Sequence, residues 1–512
     1  MRSPADSPLR AASTLQAIDR HFARVAARDH VPGIAYAVVA GDEVVHAGGV
    51  GLSRVGGAAP PRPDTRSRIC SMTKSFVAAA LLALRDQGLL GLDDPVARHV
   101  PELASLRLPT ADSPQLTVRS LMTMAGGLPD DDWWADRRMD LPARDVDDLL
   151  RAGATFAHPP GTVFEYSNLG WVMLGRVVTN VSRMAVQEFV ARSLLRPLGL
   201  TSTTWSPPER EAAMTGHRWR DGAWAEERAP LDDGDFAPMG GLWSSAVDVA
   251  RWMLFLLDAF PPRGDPDDGP LSRASRREMQ QVQRAWPSTC DPASGRLTAG
   301  GYGLGLMVTH DLRFGHIVGH PGGLPGFGSS MRWLPDRGVG VVALGNVTYA
   351  PVETATLECL ELLDDFGALP STTAVAAPPA LLRAQDGLTR LLNDWDDALA
   401  DELFAANVFA DEERERRRGR AAALRERCGP LTAAELEASS ATCAAFGLRG
   451  PRGGARVVFS LSPQVPPRVQ WYEVGPAGEG PGDRSESSGE RLAMTADGGD
   501  GEREDGRTGG AR

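Results

Sequence analysis

Apolar residues stand at helical spacing over 15–27, and two strand-like apolar runs follow, 34–39 and 43–50, joined by the turn Ala40-Gly41-Asp42. A Gly- and Pro-rich loop at 56–63 leads to an Ala/Leu-rich stretch that opens at Met72 and is stopped by Gly88, which puts Ser71 at the N-terminal mouth of a buried helix. Residues from Gly91 to about Pro287 read as helix and loop, punctuated by Pro, Asp and Trp. Strand patterns return at 302–309, 314–318, 329–334 and 339–344, and an acidic helix closes the region at 352–366. The order of strand pair, helical stretch, strand cluster and final helix predicts an α+β fold. Its antiparallel sheet is flanked by helices, and its helical half is one long insertion at about 91–287.

The pattern also divides the chain. Residues 1–13 are polar and expected to be disordered, 14–368 form the main domain, and 369–380, rich in Thr, Ala and Pro, read as a linker. Residues 381–424 are strongly helical, and 456–460 and 468–474 read as short strands, so 381–474 is expected to be a small α+β appendage. Its run of mixed charges at 411–418 has the spacing of a solvated helix face. From 475 to 512 the chain is polar, rich in acids and without aromatic residues, the composition of a disordered tail.

Charge and composition narrow the function. The net charge of −12 argues against nucleic acid or an anionic membrane as a partner. The longest apolar run, 76–84, is about half of what a bilayer-spanning helix needs. No apolar core of a secretion signal lies in the first 20 residues, so the expected location is cytoplasmic. Five scattered cysteines without a C-x-x-C pair offer neither a disulfide framework nor a zinc site. Among 54 basic residues Lys74 is the only lysine. Arginine replaces lysine readily in surface ion pairs but cannot replace an amine that must lose its proton, so Lys74 is a candidate reactive group. A phosphate-binding loop needs Gly before that lysine, and Thr73 stands there instead.

Ser71-Met72-Thr73-Lys74 is S-x-x-K, and a three-residue step on a helix puts both side chains on one face. A neutral amine can take the serine proton if burial and the positive helix end depress its pKa, and free N–H groups at the helix start suit an oxyanion hole. The other reading is a buried Ser and Lys that merely cap and pack. Tyr166-Ser167-Asn168 supplies a second element: a phenol beside an ammonium can become a phenolate that shuttles protons, and the Asn168 amide can steady Lys74 or hold a substrate carbonyl. A third lies in the Gly-rich segment from Gly319 to Gly328. There Gly322 and Gly323 let substrate lie against a strand edge, the Gly323 N–H is a candidate oxyanion donor, and His320 is expected to face the cleft opposite Ser71. His316 and His320 are four apart, but the intervening Gly319 and the strand context do not match a helical zinc pair, so no metal is expected.

These motifs, in this order, resemble the serine β-lactamase and penicillin-binding-protein superfamily, and within it the class C β-lactamase-like branch of esterases and D-amino-acid peptidases. The segments 116–129, 239–251 and 301–305 are similar to supporting segments of that family, and the likeness runs from about residue 14 to 366. It implies acylation of Ser71 followed by hydrolysis, without a cofactor. Lys74 and Tyr166 then share the base and acid work, Asn168 contacts substrate, and His320 occupies the third-motif position. Met124 and Ala125 stand where the family commonly has His-Thr, and His320 stands where its β-lactamases have lysine. The expected function is a serine hydrolase acting on a small ester, a D-configured amide or a short peptide. The alternatives are a β-lactamase or D-alanyl-D-alanine carboxypeptidase, and a catalytically silent binding scaffold.

Overall fold

The computed structural model describes residues 8–228, 232–290, 297–372 and 377–476. The chain divides into two compact units, Met1–Thr373 and Ala374–Arg512.

The first unit is built on an eight-stranded sheet in which every pairing is antiparallel. Its strands are β1 (Gly33–Ala40), β2 (Glu43–Gly51), β3 (Arg284–Cys290), β4 (Leu297–Tyr302), β5 (Met307–Asp311), β6 (Gly315–Leu324), β7 (Phe327–Leu334) and β8 (Val339–Gly345), in the order β2-β1-β8-β7-β6-β5-β4-β3. Strand β1 therefore pairs with the last strand, Ile34 opposite Gly345 through Ala40 opposite Val339. The helical region between β2 and β3 is thus an insertion into a sheet closed by the two ends of the unit. Alternation along β1 sends Ile34, Tyr36 and Val38 to one face, where α1 (Ala12–Arg28) and α5 (Val352–Asp365) cover them, and Ala35, Ala37 and Val39 to the other. On α1, Phe22 stacks on Tyr36 with ring centroids 4.3 Å apart. The second face carries the larger core, centred on α2 (Thr73–Asp86), in which every residue from Thr73 to Leu84 is buried. Each fully buried Leu, Val or Phe there contributes about 1.5–3 kcal/mol. Helices α3 (Asn168–Ser182) and α4 (Ala246–Leu257) pack on α2, the latter through Trp252 stacked on Phe76 at 4.1 Å.

Some boundaries differ from expectation. Residues 8–13, expected to be disordered, form a 3-10 turn and the start of α1, held by Leu9 buried in the α1/α5 layer; residues 1–7 lie outside the described ones. The insertion is not wholly helix and loop. It holds a hairpin, His217–Arg220 with Ala223–Glu226, and a two-residue strand, Trp243–Ser244, that pairs with Ser67–Arg68 ahead of the insertion. Strand β3 also starts inside its expected limits, and Pro287 masks it in the sequence. The register shifts between Trp286 and Thr289, a bulge that accommodates a residue with no N–H to give to the ladder.

The second unit packs α6 (Pro379–Asn393), α7 (Arg414–Cys428) and two shorter helices against a four-stranded antiparallel sheet, β9 (Thr432–Ala438), β10 (Cys443–Gly450), β11 (Gly453–Leu461) and β12 (Val469–Pro476). Its core is separate from that of the first unit. Helix α6 begins within the expected linker, and β12 runs two residues into the expected tail; residues 477–512, expected to be disordered, lie outside the described ones. The charged run is an ion-paired surface, with Arg414 and Arg418 on Asp397 and Arg416, Arg417 and Arg420 on Glu412. Among the described residues no helix is long and apolar enough to cross a membrane.

Candidate active site

Ser71 lies in a single 3-10 turn, Cys70–Met72, that runs directly into α2. The residue before it, Cys70, has φ +52°, a left-handed conformation that swings the chain from the short Ser67–Arg68 strand into the helix. That conformation is held from two sides. Arg68 donates to the Gly241 carbonyl and Ile69 N–H to the Leu242 carbonyl, which ties the approach to the 239–244 segment. On the other side β6 presses against the turn at Gly322. A Cβ on Gly322 would lie 2.6 Å from Ser329 Oγ, 2.7 Å from Cys70 Cβ and 2.9 Å from the Ile69 carbonyl oxygen, so only glycine fits. Ser329 Oγ donates to that carbonyl at 2.7 Å.

Lys74 is fully buried, and its Nζ meets Ser71 Oγ at 3.0 Å, Asn168 Oδ1 at 2.8 Å and the Met239 carbonyl at 2.6 Å. Burial lowers its pKa to about 8, against the opposing pull of Asp132, Asp131 and Asp136. The geometry does more than bring the pair together. A neutral amine has two N–H donors and one lone pair, and the two carbonyl oxygens can only accept. They take the two hydrogens, which leaves the lone pair aimed at the Ser71 hydroxyl.

Tyr166 is half-buried, and Lys74 Nζ stands 5.0 Å from its ring centroid. The 116–129 segment frames it: Glu165 N–H donates to the Met124 carbonyl at 2.8 Å, and Ser167 N lies 3.5 Å from Met124 Sδ. Burial pushes the phenol well above its ordinary pKa, Asp132, Asp131 and Asp136 push the same way, and a hydrogen bond with Ser71 opposes them. The phenolate considered from sequence is therefore not the resting state. Tyr166 is a neutral phenol near pH 7.

Asn168 opens α3, and its amide steadies Lys74, one of the two roles expected of it: Oδ1 accepts from Lys74 at 2.8 Å, and Nδ2 donates to Asp132 Oδ1 at 2.6 Å. His320, expected to face the cleft, is engaged inside the protein. It is 1% exposed; Nδ1 donates to the Pro321 carbonyl at 2.5 Å, which fixes the tautomer, and Nε2 accepts from the Tyr302 hydroxyl at 2.8 Å. Burial first and the Lys74 charge second lower its pKa to about 3. The imidazole is neutral, and neither nitrogen faces the cleft. Gly323 has the ring of Tyr349 against it, with a would-be Cβ 2.3 Å from Tyr349 Cδ1.

Several members of this site escaped sequence reasoning. Asp131 accepts from the N–H groups of Asn168 (2.6 Å) and Leu169 (2.8 Å), capping α3 from a distant loop. Tyr349 donates to Asp136, whose carboxyl burial raises to about 6. The run Asp130-Asp131-Asp132 was the available signal, but charge runs are usually solvated and nothing local shows that this one folds over a helix start. Among the described residues no group of three or more His, Cys, Asp and Glu is placed to hold a metal ion.

Comparison with known proteins agrees with this geometry. The Beta-lactamase family model matches residues 18–362. Protein flp of Staphylococcus aureus (strain N315) is 27% identical over 342 residues, 66% of this chain and 64% of its own length, so the chain spans under two thirds of that relative. The D-alanyl-D-alanine-carboxypeptidase/endopeptidase AmpH of Escherichia coli is 27% identical over 341 residues, 65% of this chain and 84% of its own. Two solved structures share the fold. One is an octameric penicillin-binding protein homologue from Pyrococcus abyssi (TM-score 0.58, 20% identity, 88% of this chain and 91% of that one). The other is a β-lactamase/D-alanine carboxypeptidase from Yersinia pestis (TM-score 0.55, 20% identity, 70% and 100%). The family match takes in the S-x-x-K, Y-x-N and third-motif residues together and covers most of the chain, which belongs to the β-lactamase family, within the superfamily of serine β-lactamases and penicillin-binding proteins.

Proposed function

We propose that the protein is a serine hydrolase that works through an acyl-enzyme on Ser71 and acts on a small ester, a D-configured amide or a short peptide. The observation that carries this reading is the buried Lys74 nitrogen, 3.0 Å from Ser71 Oγ, whose other two partners, the Asn168 and Met239 carbonyl oxygens, can only accept. Neutral Lys74 takes the Ser71 proton as Oγ bonds to the substrate carbonyl carbon. Tyr166 gives its proton to the leaving oxygen or nitrogen and regains one from the Lys74 ammonium. The same groups, used in reverse, activate a water that releases the acid and frees Ser71. We assign the oxyanion to the N–H groups of Ser71 and Gly323, one at a helix start and one on the β6 edge. The D-amide half of the reading is supported by the likeness to AmpH, and the ester half by a third motif that presents no cation to a substrate carboxylate. A fluorophosphonate probe should add one label, mapped to Ser71 and absent from Ser71→Ala. Labelling that persists in the variant removes Ser71 from the chemistry.

A further inference from the structure

We propose that Asp132 is a positioning residue for the base: it locks the Asn168 amide in the one orientation that turns its carbonyl oxygen to Lys74. An amide side chain has two orientations related by a flip, and the partners here select between them. Asn168 Nδ2 donates to the Asp132 carboxylate at 2.6 Å, while Oδ1 accepts from Lys74 Nζ at 2.8 Å. The flipped amide would set an oxygen against the carboxylate, and on the other side its NH2 would repel the ammonium or occupy the lone pair of the neutral amine. Asp131 fixes the Asn168 backbone through its N–H, so main chain and side chain are held by neighbouring residues of a single loop. With Asn168 locked, one Lys74 hydrogen is committed to Oδ1 and the second to Met239, and the lone pair has Ser71 as its remaining direction. Asp132 touches neither Ser71 nor Lys74 in any hydrogen bond of the described residues and acts through Asn168.

The carboxylate also acts at a distance. The groups around Lys74 are Asp131, Asp132 and Asp136 of the loop that folds over α3, Tyr166 from the segment before α3, Cys70 from the nucleophile's turn and His320 from β6. His320 is neutral, so the three carboxylates are what supports the ammonium against burial, Asp132 foremost among them.

The test uses the chain's single lysine. Protein labelled with [ε-13C]lysine gives one side-chain resonance, from Lys74, whose titration reads the amine directly and needs no substrate. In Asp132→Asn the titration should move to lower pH by at least about half a pH unit, because a favourable charge is removed while an acceptor for Asn168 remains. In Asp132→Ala the lock is lost as well, and plateau kcat, measured above the titration, should fall on the order of 10-fold or more with KM little changed. Asp132→Asn should recover part of that loss. An unmoved lysine titration in both variants, a wild-type plateau kcat in Asp132→Ala, or a loss confined to KM would each overturn the proposal. The kinetic arm rests on the serine hydrolase reading. If the wild type takes no fluorophosphonate label, that reading fails, and the lysine resonance still tests whether Asp132 acts on Lys74.

Discussion

Lys74 must be neutral to accept a proton, and its pKa of about 8 places that requirement within reach of ordinary conditions. Below that pH the amine is an ammonium and idle; above it the base is available, so kcat/KM should climb with pH through about 8 and then level. Were the Tyr166 phenolate the base, the rise would come above pH 10, since every cause but its Ser71 bond pushes the phenol upward. Lys74→Arg keeps the charge but cannot give up a proton, and should cost at least about 10³-fold in kcat together with the limb itself. Neutral His320 decides a second question. Families that grip a substrate carboxylate need a cation there, and here both imidazole nitrogens are engaged by Tyr302 and Pro321. A missing charge-assisted hydrogen bond is worth about 1.5–3 kcal/mol. Carboxylate-free esters or D-aminoacyl amides should therefore exceed a chromogenic cephalosporin in kcat/KM by at least about tenfold. A cephalosporin turned over faster than every neutral substrate would place a cation in the cleft that the third motif does not supply.

Between elements, the critical joint is where β6 meets the turn before α2. Gly322→Ala would drive a methyl group into Ser329 Oγ, Cys70 Cβ and the Ile69 carbonyl, and the last two cannot swing aside as the end of a side chain could. Ser71 should shift, and kcat should fall about 10²-fold, the scale of an ångström-sized misplacement, while the far-ultraviolet circular dichroism stays native. Unchanged kcat would show that the turn moves without consequence. This joint also marks how far the sequence could be read. The S-x-x-K step, the Y-x-N turn and the Gly-rich strand are local patterns with a period, so Ser71, Lys74, Tyr166 and the sheet strands around them were legible. What the patterns cannot express is orientation across the fold. His320 was expected to face the cleft from its place in the Gly-rich segment, but nothing in its neighbourhood announces Tyr302 as its partner. Asp131 and Asp132 were invisible for the same reason, since their targets lie more than 30 residues along the chain. In the second unit β9 and β10 went unseen because Ala, Glu and Leu favour helices. Their strand state is imposed by pairing, Thr432 opposite Arg449 and Cys443 opposite Ser460.

At the scale of the whole molecule, each unit owns its core. The buried residues of the first unit's two layers run from Leu9 to Ala368, and those of the second from Leu381 to Val469, with no member shared. Closure of the first unit does not need the rest of the chain either: β1 pairs with β8 along its length, and α1 and α5 cover the outer face from opposite ends of the segment. Every group assigned to the chemistry, from Ser71 to the Gly323 N–H, lies within it. Cooperative folding follows the core rather than the chain. A protein ending at residue 372 should therefore unfold in one transition, with a Tm within about 2 °C of the first unit's transition in the full chain, a difference of no more than about a kcal/mol or two at this size. It should also take the fluorophosphonate label on Ser71 at an undiminished rate. A truncated protein that is unfolded would show that the first unit's core needs the rest of the chain, and one that is folded but unlabelled would show that the chemistry does.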